Sequence, residues 1–215
     1  MESEPRKTKK RYSEITASIF TLNGLVLFFG DRTWFPDFYN PKFMAMAAFV
    51  SAFLIILPRL IYKAKGDPKK QQLLNLLEVS LIIGLGLSGL GGLGLFRLSG
   101  AGFEYDKLIH FFIPFIYTVV ICCFGSQWYG WSFKKSVVLG ATLIFMGGIV
   151  WEIFEFLADT LFGTQMRGYY GQYIAKDTTL DMIFNAFGII SGIFVSAKFN
   201  KVIHNYFERS NERSE

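Results

Sequence analysis

The sequence predicts an all-α polytopic membrane protein, a bundle of six transmembrane helices, and three observations carry that expectation. Of 215 residues, 52% are hydrophobic and only 18% charged, against a charged share of about 25% in soluble proteins. The apolar residues gather in charge-free runs: Ile15 to Gly30, Phe43 to Pro58, Val79 to Phe96, Phe111 to Phe133, Ser136 to Trp151 and Met182 to Ala197. With flanking residues and a few buried acids, each run approaches the ~20 helical residues that cross ~30 Å of hydrocarbon. The third observation is the placement of basic residues. The N-terminal arm, the second and fourth connections and the tail carry 16, whereas the other three connections carry six, Lys107 among them.

Helices are expected rather than strands because lipid offers no partner to an open backbone N–H, and these runs are not the ~10-residue alternating segments of a membrane barrel. The composition also excludes a disordered or collagen-like chain. Spans are predicted at about residues 15–30, 43–62, 73–96, 108–126, 135–161 and 179–198. Residues 15–199 then form the transmembrane domain, 1–14 a cytoplasmic basic arm and 200–215 a cytoplasmic tail. By the positive-inside rule both termini face the cytoplasm across the cell's inner membrane. The net charge of +5 reads as a topology signal and a match to anionic lipid head groups. Membrane lipids are the expected partners, and nucleic acid is not.

Taken in order, the first span follows a basic stretch, but no small-x-small cleavage site precedes Asp31 and Trp34, so it is expected to stay as a signal anchor. Gly66-Asp67-Pro68 marks a cytoplasmic turn before the third span. Within that span, Gly84-Leu-Gly86-Leu-Ser-Gly89 matches the G-x-G-x-x-G of dinucleotide-binding folds. That fingerprint works only between a strand and the opening of a helix. Gly84, Ser88 and Gly92 instead form a small-residue stripe suited to close helix packing. Adjacent Cys122 and Cys123 in the fourth span support neither a disulfide framework nor a cysteine metal site. Trp34, Trp128 and Trp131 fall near membrane interfaces.

Ionisable groups are costly at membrane depth, so each one in a span is a candidate functional residue. Asp106 and His110 open the fourth span, Glu152, Glu155 and Asp159 lie late in the fifth, and Asp177, Asp181 and Asn185 introduce the sixth. With both termini inside, these three helix ends share the outer face. On a helical projection Gly148, Glu152, Glu155 and Asp159 occupy a stripe about 60° wide. Asp181 and Asn185 share a side with Gly188 and Gly192, a G-x-x-x-G spacing that suggests close packing. Pro114 has no N–H to return to the carbonyl of His110.

One histidine, several carboxylates and an asparagine suit a divalent metal such as Zn, Mn or Fe. Such a metal could activate water, with a spare carboxylate as general base. Asp106, His110, Glu155, Asp181 and Asn185 are the candidate ligands, Glu152 the candidate base, and Arg167 a candidate contact for an anionic head group. The same residues could instead relay protons or bind a transported cation. Structural alternatives stand beside these. Asp106 could cap its helix, Thr178 with Asp181 is spaced like a capping box, and Asp159 could reach interfacial water. Glu78, away from the cluster, could snorkel or pair with a lysine. The connection Gly163 to Asp177, with Gly168, Gly171, Tyr169, Tyr170 and Tyr173, reads either as a lid or as an interfacial loop.

Tyr105-Asp106-Lys107-x-x-His110-Phe111, Glu152-x-x-Glu155-Phe156 and Asp177-x-x-x-Asp181-x-x-x-Asn185-x-x-Gly188 resemble the motifs of the YjdF-like family of inner-membrane proteins. They are more distantly similar to the VanZ-like family, which tends to have Gln where this chain has Glu155 and a Pro-Gly-Arg loop that this chain lacks. The resemblance covers roughly residues 73–197. It implies a membrane fold and a shared site at Asp106, His110, Glu152, Glu155, Asp181 and Asn185, and brings no reaction with it. Three functional classes follow: a metal-dependent hydrolase or transferase on a lipid-linked or envelope substrate, a proton- or cation-coupled transporter, and a non-catalytic membrane scaffold.

Overall fold

The fold is described from a computed structural model covering residues 4–36, 38, 40–64, 66–167 and 174–212, with side chains from Tyr12 to Phe207. Six long helices follow one another: α1 (Glu4–Phe29), α2 (Pro41–Ile61), α3 (Pro68–Gly92), α4 (Tyr105–Gln127), α5 (Phe133–Phe162) and α6 (Ile174–Glu212). Two 3-10 turns, Arg32–Trp34 and Leu95–Ala101, lie between them, and no strand occurs among the described residues. All six helices are long and apolar enough to cross a membrane. The expected all-α, six-span architecture is the observed one.

Local chemistry sets the helix ends. Asn40, Asp67 and Ser132 each accept a backbone N–H three residues on, and Pro41 and Pro68 stand where a missing N–H costs nothing. α5 stops at Gly163, whose φ of 62° is the left-handed conformation glycine tolerates. α3 ends at Gly92 rather than at residue 96, because Gly94 at φ 139° redirects the chain into the 3-10 turn. Elsewhere the helices outrun their apolar runs. α1 begins within the basic arm at Glu4, and α6 has 39 residues, about 58 Å at 1.5 Å per residue. Loss of hydrophobicity ends a membrane crossing, but lysine, arginine and glutamate are good helix formers and need not end the helix.

The bundle has two halves. α1, α2 and α3 pack together, α4 packs most extensively on α6 and α5, and α3 joins the halves by packing on α4. Tyr105 reinforces that joint, its hydroxyl donating to the Leu87 carbonyl at 2.8 Å. In the first half Glu78 is buried and meets an arginine. Arg59 grips it through Nε and, at 2.6 Å, through Nη2, while the Ser13 hydroxyl donates to it at 2.9 Å. Three helices thereby meet on one buried carboxylate whose oxygens are both satisfied.

Glycines decide how closely the helices approach. Gly84 lies under the Tyr117 hydroxyl, where an added Cβ would come within 2.6 Å, and the whole glycine motif of the third span sits inside α3. This is packing, as its context implied. The tightest approach joins α4 and α6. A Cβ on Gly188 would collide with the Phe111 carbonyl oxygen, and one on Gly192 would stand 2.9 Å from the Phe115 carbonyl oxygen. Backbone cannot swing aside as a side chain can. Gly188→Ala is therefore expected to lower the thermal midpoint in detergent, overpacking costing about 1–3 kcal/mol. Gly86→Ala, which meets nothing within 4 Å, should hold or raise the midpoint through helix propensity. Equal midpoints for the two variants would refute this account of the α4–α6 contact.

Candidate functional site

Because α4 and α6 touch backbone to backbone, residues one or two turns above the contact are forced together. Lys107, 8% exposed at its side chain, reaches three carboxylates: Asp106 at 3.0 Å, Asp177 at 2.5 Å and Asp181 at 2.6 Å. The acidic cluster thus meets an internal cation. The sequence reading had counted Lys107 among the connection charges of the outer side. Its buried place follows from helix geometry, since α4 begins at Tyr105 and carries Lys107 directly toward the acids of α6.

His110, one turn beyond Asp106, is buried at 6% exposure. Its Nδ1 lies 3.2 Å from Asn185 Oδ1, and Asn185 turns its Nδ2 toward Met182 Sδ at 3.8 Å. With an amide oxygen as partner, Nδ1 carries the proton and Nε2 the lone pair, an assignment made from the network. Nε2 faces Asp106 Oδ1 at 3.6 Å and Asp181 Oδ1 at 3.8 Å. Those separations exceed a hydrogen bond. One ligand atom from each of Asp106, His110 and Asp181 lies within 4.8 Å of the others.

The α5 acids stand beside this group. Glu152 and Glu155 are both buried. Glu155 accepts the Trp151 indole N–H at 2.8 Å. Glu152 lies within electrostatic reach of Asp106, Asp177 and Lys107 and beside Thr178, yet neither of its oxygens has a hydrogen-bond partner among the described residues. Gly148 leaves room for the site, because a Cβ there would stand 2.8 Å from Asn185 Nδ2.

Several structural alternatives fall away. Asp106 is not a cap; Glu104 precedes α4, and Asp106 lies in the first turn. α6 starts at Ile174, so Thr178 and Asp181 are inside the helix and cannot form a capping box at its start. Asp159 does not face interfacial water alone. It receives the Thr164 hydroxyl at 2.6 Å and the backbone N–H groups of Met166 and Arg167 at 2.6 and 3.0 Å, closing the turn after α5. Arg167 rests over the Phe156 ring, 5.1 Å from its centroid. Of the expected site residues, then, Asp106, His110, Asp181 and Asn185 converge, Glu152 and Glu155 flank them on α5, and Arg167 stands apart at the α5 terminus. Gly168, Tyr169, Tyr170, Gly171 and Tyr173 lie outside the described residues.

Two residues join the group unannounced. Asp177, an acid of the sixth span outside the candidate ligand set, pairs with Lys107, and Lys107 itself belongs by residue order to a connection. The available signal was its position between Asp106 and His110, at the start of a helix facing two further acids.

The depth of the group is also set by the helices. His110 lies five residues into α4 and Glu152 ten residues before the end of α5, about 8 and 15 Å along their axes. Exposure falls from Asp106 at 26% through Asp177 at 13% to Asp181 at 2%, so the group opens on the Asp106 side and closes at Asp181.

Comparison with curated proteins and with solved structures finds no match in either. A family model described as "Predicted membrane protein (DUF2238)" matches residues 20–201, which include every residue of the buried Asp, Glu and His group. With most of its length matched, the chain belongs to the DUF2238 family of predicted membrane proteins, the YjdF-like family its motifs resemble.

Proposed function

We propose that Asp106, His110 and Asp181 bind a divalent cation, and that the protein uses it for hydrolysis or group transfer on a lipid-linked or envelope substrate. The observation carrying this reading is the convergence of three ligand atoms on one gap. Ligands about 2.1 Å from a tetrahedral metal lie about 3.4 Å from one another, close to the 3.6 and 3.8 Å from His110 Nε2 to the two aspartates. Charge supports it. Three aspartates against one lysine leave the group formally two charges negative, which a divalent ion would neutralise.

The roles follow from chemistry. Asn185 orients the imidazole through Nδ1, the usual task of a second partner on a ligating histidine. Lys107 holds both carboxylate ligands, through Asp106 Oδ2 and through Asp181 Oδ1, the oxygen that also faces His110 Nε2. Glu152, beside Thr178 and with no hydrogen-bond partner placed among the described residues, is the general base, taking a proton from a water or hydroxyl nucleophile and passing it to the leaving group. The cation would polarise the electrophile. Glu155 supports Glu152 from one turn away, and Arg167 is available to an anionic head group at the end of α5. The distribution of basic residues, 16 to six, supports an inner-membrane topology with both termini in the cytoplasm and the site toward the outer face.

A proton- or cation-coupled carrier is the second reading, favoured by the same uncompensated charge. Six helices without an evident repeat are few for alternating access.

Purified wild-type protein should retain zinc, manganese or iron near one equivalent, and His110→Ala should not. Equal, substoichiometric metal in both would overturn the metal centre. Incubated with a total lipid extract of the native membrane, metal-loaded protein should change the mass of at least one lipid class, and Glu152→Gln should abolish that change while keeping its metal. An unchanged lipid profile would leave the carrier reading.

Removing Lys107 tests the electrostatic account. Lys107→Met strips the cation from three buried carboxylates, and breaking one side of a buried ion pair costs about 3–5 kcal/mol. A large loss of thermal stability is expected, and Lys107→Met with Asp177→Asn should recover part of it. No recovery in the double variant, measured by thermal unfolding in detergent, would contradict the charge-balance argument.

A further inference from the structure

We propose that the junction of α4, α5 and α6 beneath the acidic group holds ordered water and passes protons between that group and the opposite end of the bundle. This rests on reading Asp106, His110 and Asp181 as a reactive site, which must exchange protons with an aqueous phase.

The evidence is a contrast among hydroxyls. Hydroxyls in apolar helices commonly satisfy themselves by donating to the carbonyl one turn back, and Ser18, Thr21, Ser51, Ser80, Ser126 and Thr160 do so at 2.7–2.9 Å. Thr118 and Ser196 do not. They are 0% and 2% exposed, and neither hydroxyl oxygen meets a partner among the described residues. An orphaned hydroxyl in a dry interior costs about 1–3 kcal/mol, and ordered water is its usual partner.

Position gives the two orphans a direction. His110, Pro114, Thr118 and Cys122 recur every four residues on α4 and are all buried, so they form one stripe leading down from the site. Asn185, Gly188, Gly192 and Ser196 form the facing stripe on α6, all buried. Ser196 stands beside the Cys122 thiol. The Cys122 sulfur in turn lies 3.9 Å from the Ser136 carbonyl oxygen on α5. At the top of the stripe, the His110 carbonyl has no N–H to receive from Pro114. Where the helices touch, glycines bring backbones together, and beside that contact Gly140 of α5 faces Ile121 and Cys122 while Gly148 faces Asn185.

The transfer leaves the protein unchanged. Each hydroxyl accepts a proton on its oxygen and releases its own O–H proton on the far side, and each intervening water does the same. No bond is altered at the end of a passage.

The probe is water itself. In liposomes, solid-state NMR transfer of magnetisation from water should reach Thr118 and Ser196 nearly as fast as His110, and much faster than Ile55, which is 0% exposed in the other half of the bundle. Thr118→Val keeps the shape and removes the hydroxyl. It should slow transfer at Ser196 and reduce proton flux in proteoliposomes to that of empty liposomes, and Ser196→Ala should reduce the flux likewise. Transfer at Thr118 and Ser196 as slow as at Ile55 overturns the proposal, as does proton flux unaffected by both substitutions. Failure of the metal reading would show separately, as metal content insensitive to His110→Ala.

Discussion

One ammonium organises the α4–α6 half of this bundle. Lys107 stands within 3.0 Å of three aspartates contributed by two helices, and without it those acids would repel one another in a medium that screens little. The ion pairs fix the rotation of α4 relative to α6, and that rotation aims His110 at Asn185. A buried charge network of this kind is rarely a cheap source of stability, because desolvation offsets most of the Coulomb gain. Its effect here is on geometry: the carboxylates are held in place near His110, three formal negative charges against one positive.

The pair at Glu78 shows what a closed network looks like in the same molecule. One carboxylate faces one guanidinium and one hydroxyl, and each oxygen has a partner. Nothing remains for a ligand to satisfy. Around Lys107, by contrast, three acids share one cation and Glu152 beside them has no partner among the described residues. Both groups join helices, but only the second sets more acids than cations against one another. That difference, rather than the mere presence of charge in a membrane, separates a structural pin from a candidate site.

Much of this could be read from residue order. Six apolar runs, an asymmetric distribution of basic residues and two glycine-spaced helix faces specify the architecture, because lipid leaves the backbone almost no alternative to helices. The convergence of α4, α5 and α6 acids was equally readable, since helical spacing places Glu152 and Glu155 on the face that Gly148 opens. Two things were not. The ends of α1 and α6 lie beyond the apolar runs, because hydropathy reports where lipid stops and says little about where hydrogen bonding does. Lys107 was missed because a lysine at a span's edge ordinarily extends to water; only the distances to Asp177 and Asp181, seventy-odd residues away in sequence, reveal that it turns inward.

The outer surface and the site are two results of one constraint. Along α5, Val138, Leu143, Met146, Val150, Ile153, Leu157 and Leu161 are all exposed, a stripe that in water would mark an aggregation or docking surface. In lipid it is simply the solvated face, and the polar residues of the helix must turn the other way. Ser136, Glu152 and Glu155 accordingly belong to its buried face. Three helices obeying the same rule direct their few charges to a shared interior, where small residues make room. A functional centre in such a protein therefore needs no loop to build it. Lipid on the outside and glycine at the contacts concentrate the ionisable groups, and three acids there meet one Lys107.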